Sequence, residues 1–187
     1  MVAIHTPICD FGWNPPAFEL GGIDGKTYTL DDVRGPNGTL VMFICNHCPY
    51  LIAVVDRLTA DVKALQQQGI GAIAIMSNAT EIVSADSFAN MKIFAAERGF
   101  TFPYVIDETQ NVAKSFDAVC TPDFFGFDAN DALQYRGRLD GSGLNPAPEG
   151  AKRELLEAMC QVAEGGHGPA EQTPSMGCSI KWRQSMQ

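Results

Sequence analysis

The sequence predicts an α/β domain with a central mixed β-sheet flanked by helices, and three features of the 187 residues carry that expectation. The runs Thr39-Leu40-Val41-Met42-Phe43-Ile44 and Ile70-Gly71-Ala72-Ile73-Ala74-Ile75-Met76 are apolar almost throughout, as strands buried on both faces are. Apolar residues recur at helical spacing between such runs, as in Leu51, Val54, Val55, Leu58, Val62 and Leu65. Strand-like and helix-like stretches alternate and end in a hairpin pattern and a last helix, the order of a sheet with helices on its faces.

Each element has its own local signal. Phe18-Glu19-Leu20 and Tyr28-Thr29-Leu30, separated by Gly21-Gly22 and Asp24-Gly25, predict a short hairpin ahead of the core. The run at 39–44 is the first core strand, and a helix is expected from residue 45 to about Gln68, where Gly69 can take a left-handed cap. Residues 70–76 are the second core strand. Phe88, Met91, Phe94 and Ala95 mark another helix closed by Arg98-Gly99, Tyr104-Val105-Ile106 a short strand, and 108–116 a brief helix with Val112, Ala113 and Phe116 inward. Phe124–Phe127 and Leu133–Arg138, joined through Asp128-Ala129-Asn130-Asp131, predict an antiparallel hairpin, and Leu155, Leu156, Met159 and Val162 a final helix. No linker interrupts residues 1 to about 164, and no repeat is present. One domain over 1–187 is expected, with 1–35 a hairpin extension and 165–187 a Gly/Pro-rich tail that is docked or flexible.

Composition narrows the function classes. With 45% hydrophobic and 19% charged residues the chain can bury a core without a disulfide framework. A formal net charge of −9 opposes binding to nucleic-acid phosphates. No stretch approaches the ~18 apolar residues of a membrane span, and the N-terminus lacks the charged and apolar regions of a secretory signal. A cytoplasmic, reducing setting is the expectation, in which the six cysteines are mostly free thiols and any disulfide is transient and catalytic.

Cys45-Asn46-His47-Cys48-Pro49-Tyr50 follows the first core strand directly. Two cysteines three apart at a strand-to-helix turn bring their Cα atoms within the roughly 4.4–6.8 Å that a disulfide bridges, and helix-terminal amides favour a thiolate. Cys45 and Cys48 are therefore candidate catalytic residues, with Cys45 at the start of the helix expected to be the more exposed sulfur. Half of a zinc site is the competing reading; with no second C-x-x-C and no H-x3-H, and with Cys120 and Cys178 isolated, no metal is expected. His47 either lowers the thiol pKa or is a solvated histidine of the first turn. Cys9 and Cys160 read as structural or incidental, and Arg136 and Arg138 as solvated strand residues rather than catalytic ones.

In order, Pro16–Leu20 with Asp24-Gly25-Lys26, Cys45–Tyr50, Phe102–Asp107, Cys120-Thr121-Pro122-Asp123-Phe124-Phe125, Tyr135-Arg136-Gly137 and Gly177–Trp182 resemble the thioredoxin-like superfamily. Within it they resemble the alkyl hydroperoxide reductase/thiol-specific antioxidant (redoxin) group, in the branch with a C-N-H-C-P-Y motif. The resemblance implies a thioredoxin fold and a thiol-disulfide oxidoreductase or thiol-dependent antioxidant without a cofactor. Cys45 would be the nucleophile and Cys48 the resolving thiol. The implied partners are a protein or small-molecule disulfide, or a hydroperoxide, and a separate reductant. A histidine at position 47 is shared with the strongly oxidising periplasmic member of the superfamily. Thr121-Pro122 matches the cis-proline loop that receives strand-like substrates, and Cys120 beside it is either a third thiol or a small buried residue. Ile180 and Trp182 would anchor the tail, near the dithiol.

Two alternatives stand beside this reading. A thiol peroxidase would attack peroxide with Cys48; the peroxiredoxin pattern P-x-x-x-T-x-x-C places its attacking cysteine there, although its threonine is Cys45 and its proline Val41 in this chain. A non-catalytic thioredoxin-like binding module would merely carry the dithiol. Thioredoxin's buried acid and its tryptophan before the first cysteine are replaced by Thr39 and Ile44, which leaves the dithiol without an evident internal base.

Overall fold

The computed structural model describes residues 3–184. Strand β1 (Ala3–His5) leads through irregular chain to the antiparallel pair β2 (Glu19–Gly22) and β3 (Thr27–Thr29). Helix α1 (Leu30–Val33) starts at once, because the side chains of Thr29 and Asp32 accept each other's backbone N–H in a capping box. β4 (Gly38–Phe43) is followed by the single turn α2 (Pro49–Ile52), then by α3 (Val55–Gln67) and β5 (Ile70–Met76). A 3-10 turn (Ser84–Asp86), α4 (Phe88–Glu97), β6 (Tyr104–Ile106) and α5 (Asn111–Ser115) complete the middle of the chain. β7 (Cys120–Thr121), β8 (Asp123–Phe127), β9 (Leu133–Tyr135), α6 (Glu154–Gly165) and β10 (Met176–Ser179) close it.

The main sheet has the order β3-β2-β6-β5-β4-β8-β9, with β4, β5 and β6 parallel and the remaining pairs antiparallel. The unbroken apolar runs have a direct cause. In β4, Leu40 and Met42 enter one core cluster while Val41 and Phe43 enter the other, and in β5 Ala72 and Ala74 part in the same way from Ile73 and Ile75. One cluster holds the apolar faces of α3, α4 and α6; the other is an aromatic group in which Phe116 packs against Phe43, Phe125 and Trp13. The hairpin expected as an extension is built into this sheet, since β2 bonds β6 as well as β3.

One local expectation changes. The helix after β4 does not begin at Cys45; it begins after Cys48 and breaks at Ala53-Val54 before resuming as α3. Pro49 sits at the first helical position, where its missing N–H costs nothing, and the Arg57 guanidinium donates to the Ala53 carbonyl at the break (3.1 Å). The tail is docked through Met176–Ser179. β10 lies between β1 and β7 in a small antiparallel sheet, with Cys178 opposite Ala3 on one side and Thr121 on the other.

Candidate active site

The end of β4 delivers Cys45 and Cys48 to the point where α2 meets the β7–β10 pair. Ile44 N–H still bonds the Ile75 carbonyl at 3.0 Å, so the strand direction is held up to the first cysteine. Cys48 is the N-cap residue of α2, and both sulfur-bearing residues are fully buried. The Cys45 Sγ lies 3.1 Å from Thr121 Oγ1. The Cys48 Sγ lies 3.0 Å from the Thr121 carbonyl and 2.8 Å from the Cys178 Sγ. Cys48 is thus the middle sulfur of three.

The surroundings make the two motif cysteines unequal. A hydrogen bond from Cys45, with further ones from Cys178 and the Leu51 amide, brings the Cys48 thiol down to about 5 against the raising effect of burial. Cys45 moves the other way: its bond to Cys48, its burial and the Asp86 carboxylate all favour its protonated form. Cys178 is pushed up to about 12 by burial and by its contact with Cys48. The expectation that Cys45 is the more exposed sulfur is corrected, since both sulfurs are buried. It assumed a helix beginning at residue 45, and the chain there is instead a loop beside a buried carboxylate.

Asp86 is that carboxylate, and nothing in the sequence singled it out. It is fully buried in the 3-10 turn and accepts from the Asn46 N–H (2.8 Å) and Asn78 Nδ2 (2.7 Å), while His47 Nδ1 lies 2.8 Å from its Oδ2. The contact with Asp86 raises the His47 pKa, outweighing partial burial. His47 is therefore a partner of Asp86 first, and its influence on the sulfurs is secondary. Asn46 is fixed as well, by Tyr104 Oη on its Oδ1 (3.0 Å) and through its Nδ2 on the Ala85 carbonyl (3.0 Å). Cys45, His47 and Asp86 place one ligand atom each within 4.8 Å of one another, a set of donors of the kinds that bind zinc.

The Thr121–Pro122 peptide bond is cis. β10 lies against this loop so closely that a Cβ on Gly177 would meet the Thr121 carbonyl oxygen at 2.1 Å. Ser175 Oγ donates to the Pro122 carbonyl (2.8 Å), and Lys181 N–H to Asn78 Oδ1 (2.8 Å), so the segment is tied to both the proline loop and the Asp86 cluster. Ile180 is buried against the aromatic core and Trp182 is partly exposed. Cys120 is buried beside the Pro122 carbonyl (3.7 Å), its thiol pushed up by desolvation. It is Cys178, not Cys120, that stands at the dithiol. Cys9 and Cys160 are half-buried. Arg136 is buried, not solvated: the segment after α6 covers β9, and the guanidinium pairs with Asp123 at 2.9 Å. Burial pushes Asp123 up to about 6 against that arginine. Arg138 is held by Glu154 at 2.7 Å.

A central β4 ending in a dithiol, an adjoining cis-proline loop and a mixed sheet between helices define a thioredoxin-like protein. Residues 12–136 match the AhpC/TSA family, and the chain belongs to it. An uncharacterized conserved protein from Geobacillus kaustophilus is 41% identical with a TM-score of 0.94, covering 100% of this chain and 99% of that one. A hypothetical protein from Sinorhizobium meliloti 1021 is 30% identical with a TM-score of 0.88, covering 96% and 97%. Among curated proteins, the thiol-disulfide oxidoreductase ResA of Geobacillus thermodenitrificans is 25% identical over 123 residues, 66% of this chain and 66% of that relative's length. The thioredoxin domain of a Bacteroides vulgatus thiol-disulfide oxidoreductase, at 18% identity and a TM-score of 0.57 over 67% of this chain and 86% of that one, shares the fold.

Proposed function

We propose that the chain is a thiol-disulfide oxidoreductase whose redox dithiol is Cys45 and Cys48, acting on protein or small-molecule disulfides and recycled by a separate reductant. The observation that carries this reading is the pairing of one thiol held low with another held high, in hydrogen-bond contact beside the proline loop. A thiolate and a protonated neighbour are the two partners that exchange requires. In the reducing direction, the Cys48 thiolate attacks one sulfur of the substrate disulfide, forming a Cys48 mixed disulfide and expelling the other half as a thiolate that takes up a proton. Cys45 then attacks the Cys48 sulfur, the Cys45–Cys48 bond forms, and the second half leaves with the proton Cys45 gives up. This order reverses the one expected from the motif alone, because Cys48 is the thiol whose pKa is lowered. A cavity of about 220 Å³ lined by Tyr50, Pro122, Leu139, Ser175 and Met176 gives a substrate side chain an apolar seat beside the loop.

The peroxidase reading draws support from the same low Cys48 pKa at the position where peroxiredoxins attack. Against it, Arg136 and Arg138, the guanidinium groups available to polarise a peroxide oxygen, are held on Asp123 and Glu154. Insulin-disulfide reduction and hydroperoxide consumption, measured side by side on wild type, Cys45→Ser and Cys48→Ser, test the proposal. Cys48→Ser should abolish insulin reduction, and peroxide consumption should stay at the rate of a free thiol. Fast peroxide turnover through a Cys48 sulfenic acid, with no insulin reduction, would replace this reading with the peroxidase one.

A further inference from the structure

We propose that Cys178 is a third redox thiol of the site, so that oxidising equivalents held on Cys48 pass either to Cys45 or to Cys178. The geometry is specific. The Cys178 sulfur is 2.8 Å from the Cys48 sulfur, so reaching the ~2.05 Å of a disulfide requires a movement of less than about 1 Å. The position of Cys178 is set from several directions. β10 is the middle strand of its sheet, Gly177 lies on the Thr121 carbonyl, and the bonds of Ser175 and Lys181 pin the strand before and after the cysteine. Cys48 Sγ contacts the carbonyl of Thr121, the residue paired with Cys178 across the two strands. The third sulfur is therefore aimed at Cys48 by backbone pairing rather than by a free side chain.

The chemistry is balanced within the protein. Starting from the Cys45–Cys48 disulfide, the Cys178 thiolate attacks the Cys48 sulfur, the Cys45–Cys48 bond breaks as the Cys48–Cys178 bond forms, and the proton lost by Cys178 ends on Cys45. No oxidant is consumed. Starting from a mixed disulfide on Cys48, the same attack expels the bound thiolate, which takes that proton. This inference extends the dithiol reading of the proposed function and rests on it. Its consequence is that loss of Cys45 does not leave a mixed disulfide stranded on Cys48.

The test reads bonds rather than turnover. Wild type, Cys45→Ser and the double variant Cys45→Ser/Cys178→Ser are treated with oxidised glutathione, alkylated, digested and mapped by mass spectrometry. In Cys45→Ser a Cys48–Cys178 bridge should appear, and the Cys48 glutathione adduct should clear about tenfold faster or more than in the double variant, where it should persist. Oxidised wild type, which needs no substitution, should contain the Cys48–Cys178 bridge alongside Cys45–Cys48. Full alkylation of Cys178 in oxidised Cys45→Ser, with glutathione retained on Cys48, would overturn the proposal. Absence of insulin reduction by a wild type that still forms both bridges would refute the proposed function and leave the third thiol standing.

Discussion

Asp86→Asn removes one charge and almost no volume, and the structure lets its cost be worked out. Two hydrogen bonds and one ion-pair contact converge on the two carboxylate oxygens: the Asn46 N–H on one, and Asn78 Nδ2 with His47 Nδ1 at 2.8 Å on the other. An asparagine offers one acceptor oxygen and an amide that is itself a donor. With the oxygen toward Asn78, the Asn46 N–H faces an N–H. With the oxygen toward Asn46, Asn78 is orphaned, and it cannot turn over because its own oxygen holds the Lys181 N–H. One buried donor left without an acceptor costs about 1–3 kcal/mol, and the surviving bonds weaken on losing the charge, so the variant should lose roughly 2–4 kcal/mol. At roughly 2–4 °C per kcal/mol for a chain of this size, the melting midpoint of the reduced protein should fall by roughly 4–16 °C. The pH dependence separates a specific pairing from general damage. The His47 pKa is raised in the folded state, so its pairing with Asp86 stabilises fully below the ordinary value of about 6.5 and is lost as the pH rises through the folded value. Melting of wild type and variant across that range should therefore show a gap that is widest in acid and narrows toward alkaline pH, and the His47 imidazole signal followed by NMR should titrate lower in the variant. A gap that stays constant or widens with pH, or an unmoved His47 titration, would refute this account of the carboxylate.

Gly177→Ala places a methyl group where the Thr121 carbonyl oxygen already lies, so β10 must lift; a loss of about 1–3 kcal/mol and faster alkylation of Cys48 by iodoacetamide are expected, and unchanged alkylation kinetics would contradict the close approach. With Cys48 brought down to about 5 and Cys45 held protonated, the thiolate absorbance of the reduced protein should rise through acid pH and then stay level across neutrality. The dithiol's reduction potential should then fall by roughly 30 mV per pH unit near neutrality, one proton per two electrons, whereas a slope of roughly 59 mV would mean two ordinary thiols.

Much of the sheet is legible in the sequence because burial on both faces leaves an unbroken apolar signature, as in β4 and β5, and the dithiol is legible because its spacing is local. What escapes depends on contacts between distant residues. Asp86 lies 40 residues beyond Asn46, in a turn with no pattern of its own, and acts only once the fold brings it under the motif loop. Composition alone would leave the tail disordered and only the resemblance points to docking, because β10 is held chiefly by backbone pairing to β1 and β7, which composition does not register. Arg136 reads as solvated from strand alternation, but β9 is covered by the segment after α6, where Gln172 accepts from the Arg136 N–H at 2.8 Å and donates to the Gln134 carbonyl at 2.8 Å. The break at Ala53-Val54 has no helix-breaking residue to announce it.

The strand that roofs the dithiol has a consequence for biosynthesis. Cys178 follows Cys48 by 130 residues, and at a synthesis rate of roughly 5–20 residues per second the ribosome needs roughly 7–26 s to cover that distance. Through that interval β4 and its two cysteines exist without β10, so the nascent chain carries its motif thiols uncovered into whatever thiol-disulfide pool surrounds it. The buried three-sulfur arrangement is assembled last, and a thiol already capped at Cys48 when β10 arrives meets the Cys178 sulfur at the moment of folding.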